Sequence, residues 1–191
     1  MSVAVVPERA TSEPIGLAEG FHRDPALVAA GYRWHVLHTR SRHEKAIAEV
    51  MDGVGAKAYV PLFKRVVYYG HRKRVVETPL FSCYVFLWGT LDHAYLGTST
   101  KRVANIIEVP DQARLERELT QLSRATQLGA PLSPYAFLVK GRRVRVTAGP
   151  FEGLEGLVED PARMNRLILQ VHAIGRSLSL EIDASLLEPM D

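Results

Sequence analysis

Basic side chains supply the chemistry that this sequence concentrates. Arg40, Arg42 and Lys45 fall close together with His43 among them, and Arg72, Lys73 and Arg74 are consecutive. Such cations attract phosphate at long range and release condensed counterions on contact, so both runs are candidate nucleic-acid contacts. A solvated charged face is the other reading that these runs admit. Few aromatic residues interleave with them, which argues against base stacking of the single-strand-binding type. No catalytic set accompanies them. The seven histidines include no H-E-x-x-H pattern, and His35 and His38 fall on opposite faces of an expected strand, a poor arrangement for chelating one ion. The Gly-rich segments lack the Lys-Ser/Thr of a phosphate loop, and Ser177 and Ser179 have no neighbouring base or elbow. Cys83 is the single cysteine, so an internal disulfide and a cysteine-based zinc site are excluded. The chain reads as a binding protein, not an enzyme, with no metal and no cofactor.

Composition fits that reading. The 191 residues allow one large domain or two small ones, and a hydrophobic fraction of 47% is ordinary for a folded protein. The net charge of +3 and pI near 9.1 permit a polyanionic partner. No apolar run approaches the roughly 20 residues of a membrane span, and no basic-then-apolar signal region opens the chain. A cytoplasmic monomer without membrane contact is expected.

The elements that must position these residues follow from periodicity. Residues 1–30 carry scattered Pro7, Pro14 and Pro25 and read as a flexible extension with a short helix near Ala26–Ala30. Trp34 to Thr39 is a first strand. Ser41 and Glu44 fit a capping box for a helix whose stripe is Ala46, Ile47, Val50, Met51 and Val54, closed by Gly53 and Gly55. Ala58 to Phe63 is a strand bent at Pro61. Val66 to Tyr69 and Val75 to Thr78 flank a basic hairpin tip, Gly70 to Arg74. Phe81 to Trp88 is an apolar strand, Leu91 to Thr98 a short helix, and Val103 to Val109 a strand. A helix entered at Pro110-Asp111 carries Leu115, Leu119 and Leu122 to about Gln127. Residues 129–138 contain linker chemistry in Gly129, Pro131 and Pro134. Four short strands then fill Arg142 to Asp183, led by the alternating run Arg142-Arg143-Val144-Arg145-Val146 and a Gly-Pro break at Gly149-Pro150. The expected architecture is α+β: an antiparallel sheet flanked by helices over residues 31–128, then a small all-β domain over residues 139–191.

Three segments give this order a resemblance. Gly141 to Val158 resembles the KOW motif of small SH3-like β-barrels. Trp34 to Lys45 (WHVLHTRSRHEK) and Pro79 to Phe86 (PLFSCYVF) are similar to the first strand and to the most distinctive block, usually Pro-Leu-Phe-Pro-Gly-Tyr-Val-Phe, of the NusG family of transcription elongation and antitermination factors. Ser82-Cys83 stand where the family has Pro-Gly. The resemblance covers nearly all of residues 31–191. It implies an NGN-like N-terminal domain that binds the clamp of RNA polymerase and suppresses pausing or termination by favouring one conformer of its partner. It implies polymerase contacts at His38, Tyr84, Phe86 and Val103, and at His93 in a second segment, and contact with non-template DNA through Arg40, Arg42, Lys45, Arg72, Lys73 and Arg74. In the KOW domain it implies that Leu154, Ile174 and Arg176 meet termination factor Rho or a ribosomal protein, with Ile174 standing where the family carries Phe. On residue pattern alone, Tyr84 and Phe86 read equally as core, since a strand covered on both faces is continuously apolar. The extension, the lost Pro-Gly, the altered segment at His93 and the missing aromatic favour a specialised antitermination paralogue of the RfaH and UpxY kind. The housekeeping factor, or a KOW-containing ribosomal or RNA-binding protein, is the alternative.

Overall fold

The computed structural model describes residues 23–69, 72–137, 141–159 and 165–190. Most of the expected extension, and Gly70-His71 of the hairpin tip, lie outside them. The elements in chain order are α1 (Pro25–Ala29), β1 (Arg33–Thr39), α2 (Glu44–Gly53), β2 (Lys57–Tyr59), β3 (Leu62–Tyr69), β4 (Arg72–Pro79), β5 (Tyr84–Gly89), α3 (Leu91–Ser99), β6 (Val103–Ile107), α4 (Gln112–Gln127), β7 (Ser133–Tyr135), β8 (Arg142–Val146), β9 (Glu155–Val158), β10 (Arg166–Val171), β11 (Arg176–Glu181) and β12 (Leu187–Pro189).

An antiparallel four-stranded sheet in the order β2-β5-β1-β6 forms the first layer. Alternation along β1 and β5 divides its side chains between two cores. Leu37, Val85 and Leu87 pack with Ile47, Ala48 and Met51 of α2 and Ala94 of α3. Trp34, Val36, Phe86 and Trp88 turn to the other face and pack with Leu115, Leu119 and Leu122 of α4. Each fully buried leucine of α4 contributes about 1.5–3 kcal/mol through the apolar surface it hides. Polar contacts fix the helix at its start. The Gln112 side chain accepts from Trp34 N–H at 2.7 Å and donates to Trp34 C=O at 2.9 Å, and Asp111 caps the helix by accepting from Arg114 N–H. Glu116 accepts from the Trp34 indole and pairs with Arg23, whose guanidinium lies 5.9 Å from the Trp88 ring. Tyr59, from β2, lies in the same core, and burial pushes its phenol up to about 12, so it stays neutral.

Several expectations need correction. The capping box does not form: α2 begins after His43, which makes no side-chain cap. Glu44 is drawn inward instead and accepts the Cys83 N–H at 2.7 Å, satisfying a backbone donor from a distant loop. Val54 leaves the apolar stripe for solvent, and Ala48 takes the buried place. The strand expected over Ala58 to Phe63 divides at Val60-Pro61, because Pro61 bends the chain into the separate hairpin β3–β4. The register Tyr69↔Arg72 then places Arg72, Lys73 and Arg74 within strand β4 and not in a turn. Strand β5 starts at Tyr84, and Phe81 to Cys83 turn into it.

Cys83 has φ 69°, in the left-handed region where L side chains are strained. It occupies the position where the resembling block has Gly. Cys83→Gly is therefore expected to stabilise the fold by up to about 1 kcal/mol, less the extra chain entropy glycine loses on folding. Chemical denaturation checks this: a stability equal to or below the wild type's would mean that the thiol's packing offsets the strain.

The second layer is a six-stranded antiparallel sheet in the order β12-β8-β9-β10-β11-β7, around a core of Val144, Val146, Leu154, Val158, Leu167, Leu169 and Leu180. Its edge strand β7 comes from the expected linker: Ser133, Pro134 and Tyr135 pair with Ser179, Leu178 and Ser177. Leu132 packs against both the α4 core and the β-domain core. The two layers thus share buried surface, with Val171 and Leu178 of the β-domain in one cluster with Leu115 and Phe86.

Candidate macromolecular interfaces

The five expected polymerase contacts fall in three places. His38 and Tyr84 are directly opposed in the β1–β5 register, and their rings stack with centroids 5.2 Å apart and planes 28° apart. Both are half-buried at one end of the sheet. Phe86 points to the same face but has no exposed surface, with the Tyr59 and Phe81 rings each 6.4 Å away. Val103 is buried in the opposite core with Leu37 and Met51. His93 stands at the far end of the sheet, where its Nδ1 accepts the Thr90 N–H at 3.0 Å while Thr90 caps α3, and where Tyr32 meets its ring edge-on. The geometry brings His38, Tyr84 and Phe86 together and separates Val103 and His93 from them.

The aromatic face is covered. Beyond α4, the β-domain lays Ala173 and Ile174, in the short 3-10 turn His172–Ile174, against the same cluster that holds Tyr84. Four residues of α4 clasp the β-domain. The Glu118 carboxylate accepts the His172 N–H at 3.0 Å and also bonds His172 Nδ1. Arg114 donates to Glu118 at 3.1 Å and lies against His172 Nε2, Gln121 accepts the Glu155 N–H at 3.0 Å, and Arg124 donates to Glu152 C=O. The Glu118 carboxylate thus holds the β-domain by the His172 N–H and imidazole, charge-assisted bonds that are stronger than neutral ones, while Arg114 braces it within α4.

Of the expected partner contacts in the β-domain, Leu154 is fully buried in the barrel core, Ile174 is half-buried under the first layer, and Arg176 is exposed at the start of β11. Of the expected nucleic-acid contacts, Arg40 and Arg42 are exposed in the loop after β1, and Lys45 pairs with Glu77 of β4 at 3.3 Å. Arg72, Lys73 and Arg74 are exposed along the hairpin. Sequence reading missed Lys101 and Arg102. They precede β6, and the Arg40 N–H donates to Arg102 C=O at 2.8 Å, so strand pairing sets them beside the Arg40 loop. A pair of adjacent cations at a strand entry was their only signal.

Among the described residues no group of His, Cys, Asp and Glu could hold a metal ion, and no helix is long and apolar enough to cross a membrane.

Residues 32–126 match the NusG family model, described as transcription termination factor nusG. Over 170 residues the chain is 31% identical to the transcription termination/antitermination protein NusG of Buchnera aphidicola, covering 80% of this chain and 93% of that protein. It is 27% identical over 172 residues to the protein of the same name from Escherichia coli K12, covering 82% and 95%. A solved structure of Thermotoga maritima NusG, titled for its domain interaction, is 23% identical and aligns with a TM-score of 0.45 over 85% of this chain and 99% of that one.

Proposed function

The chain belongs to the NusG family of transcription termination/antitermination factors, and from that premise we propose that it acts by binding the clamp of RNA polymerase through the aromatic face of β5. One observation carries the proposal: Tyr84, stacked on His38, stands at the rim of an apolar face whose outer cover is a separate β-domain held by a polar clasp. An aromatic patch with a polar rim is the composition of a protein interface. A face that a detachable domain covers can be exchanged for a partner without unfolding the sheet beneath it. Binding energy spent on the closed clamp shifts polymerase toward the elongating conformer and reduces pausing or termination, with no chemical step. The covering residue Ile174 is also the proposed partner contact for Rho or a ribosomal protein, so both proposed surfaces are released together when the domains part.

The specialised reading is supported by Cys83 holding a left-handed backbone without glycine, by Ile174 in place of the aromatic, and by the segment ahead of β1 whose Arg23 is tied to Glu116 and Trp88. The general-factor reading is favoured by similarity to proteins named NusG along four fifths of the chain.

The test is retention of core RNA polymerase by the immobilised fragment 31–128, beside the full chain. The fragment is expected to bind at least as tightly as the full chain. A fragment with an intact circular dichroism spectrum that fails to bind, while the full chain binds, overturns the proposal.

A further inference from the structure

Helix α3 turns its small residues to the core and its large apolar ones to solvent. Its buried residues are Ala94 and Gly97, while Leu91, Tyr95 and Leu96 are 49%, 57% and 43% exposed. Neither α2 nor α4 exposes a large apolar side chain anywhere along its length. Close approach fixes the rotation of α3. A Cβ on Gly97 would stand 3.4 Å from both Leu37 and Val103, so only the small-residue face fits against the sheet. Leu91 and Tyr95 lie one turn apart on the outer face, with Leu96 beside them.

The start of α3 meets α1 and α2 at Tyr32. The Tyr32 hydroxyl donates to Gly55 C=O at 3.3 Å, and its ring lies 5.5 Å from His93 and 6.4 Å from Trp88. Exposed Val54 precedes Gly55, and exposed Val28 accepts the Gly31 N–H just ahead of Tyr32, so two more apolar side chains come to this end. A gathering of exposed apolar residues marks a docking surface. Arg33 and Lys57, at the same end, are exposed and form no ion pair among the described residues. The acids there have other roles: Asp24 and Asp52 accept from the Ala26 and Ala58 N–H groups, and Asp92 sits in the first turn of α3, where the helix dipole favours it. The chain also enters here. Arg23 pairs with Glu116 and lies 5.9 Å from the Trp88 ring that Tyr32 touches, so residues 1–22 begin beside this surface. They include Ile15 and Leu17, flanked by Glu13 and Glu19. Leu17 stands six residues before Arg23, a reach of up to roughly 20 Å.

We propose that residues 13–19 of this chain dock on the outer face of α3, with Ile15 and Leu17 covering Leu91, Tyr95 and Leu96, and with Glu13 and Glu19 supplying the acids that Arg33 and Lys57 lack. The tether decides the occupant. A link this short sets an effective concentration on the order of a millimolar, so a contact with a Kd of about 0.1 mM covers the face about nine-tenths of the time. A second copy at micromolar concentration cannot compete at that affinity. The docked segment is a removable cover over α3, and its release would expose Tyr95 and its neighbours to a partner. This face lies at the opposite end of the sheet from the His38–Tyr84 rim, so the cover takes nothing from the polymerase contact proposed there.

Hydroxyl-radical footprinting of the full chain reads side-chain exposure directly. Ile15→Asp with Leu17→Asp is expected to raise the labelling of Leu91, Tyr95 and Leu96 by about tenfold, the factor that follows from nine-tenths cover. Val75 and Val76, exposed apolar residues of β4, are the control and should not change. The reciprocal variant Tyr95→Asp is expected to raise the labelling of Ile15 and Leu17. Tyr95 is exposed and belongs to neither core of the sheet, so all these variants should keep the wild-type circular dichroism spectrum, which separates lost docking from lost folding. Labelling of α3 that the Asp pair leaves unchanged overturns the proposal. Protection of α3 that grows with protein concentration would assign the face to a second copy, and protection that arises only on adding core RNA polymerase would assign it to that partner; either result overturns the proposal as well. Because the free chain carries the readout, failure here leaves the polymerase contact at Tyr84 standing, and failure of that contact leaves this result standing.

Discussion

Phe86→Ala is expected to cost about 3–5 kcal/mol of folding stability, because it empties a site with no exposed surface between the Tyr59 and Phe81 rings. Tyr84→Ala is expected to leave the fold in place and to weaken binding to core RNA polymerase by about 2 kcal/mol or more. The two residues stand on the same face of one strand, and their burial separates their roles. Phe86 shapes the platform from beneath, and half-buried Tyr84 reaches its rim, where its ring stacks on His38. Denaturant unfolding and polymerase titration of the two single variants check this. A Tyr84→Ala variant that is folded and binds polymerase with wild-type affinity would remove the rim from the interface. A Phe86→Ala variant as stable as the wild type would mean that the face is open in solution and not packed as described.

The elements were legible in the sequence wherever their signals are local. Alternation marks β1 and β8, a leucine stripe with Asp111 before it marks α4, and Gly55 with φ 85° ends α2 as expected. What was not legible depends on pairing between distant segments. Glu44 looked like half of a capping box because Ser41 stands three residues before it; the competing Cys83 N–H arrives only when β5 pairs with β1. Ser133-Pro134 carry linker chemistry, and they become a strand because β11 offers an edge. Resemblance transferred the positions of Leu154 and Val103 but not their exposure, which the surrounding core decides. Lys101 and Arg102 are far from Arg40 in sequence and meet it only through β1–β6 pairing. The cover over the aromatic face was invisible for the same reason: α4 and the turn at His172 have no local pattern that announces their contact.

Glu118→Ala is expected to raise the affinity of the full chain for core RNA polymerase by roughly tenfold, an inverse of the usual effect of deleting a buried contact. Glu118 is outside the proposed polymerase face, yet it accepts from His172 twice and from Arg114 once, so it holds the β-domain over that face. Hydrogen bonds to charged groups are worth about 1.5–3 kcal/mol each when formed, and solvent near Arg114 and His172 reduces that, so a net loss near 1.4 kcal/mol, a factor of ten, is a conservative expectation. Apparent affinity scales with the open fraction, so weakening the closed state by that amount strengthens binding by the same factor until the open state dominates. Gln121 and Arg124 retain their bonds to the β-domain, and the apolar contact of Ile174 persists, which keeps the variant partly closed. Polymerase titration with solution scattering on the free chain checks both halves of the argument. An expanded chain with unchanged polymerase affinity would show that the covered face is not the one polymerase uses. The Gly31–Leu128 fragment, which has no cover to release, should then gain nothing from Glu118→Ala, and an equal gain in fragment and full chain would assign Glu118 to the polymerase contact itself.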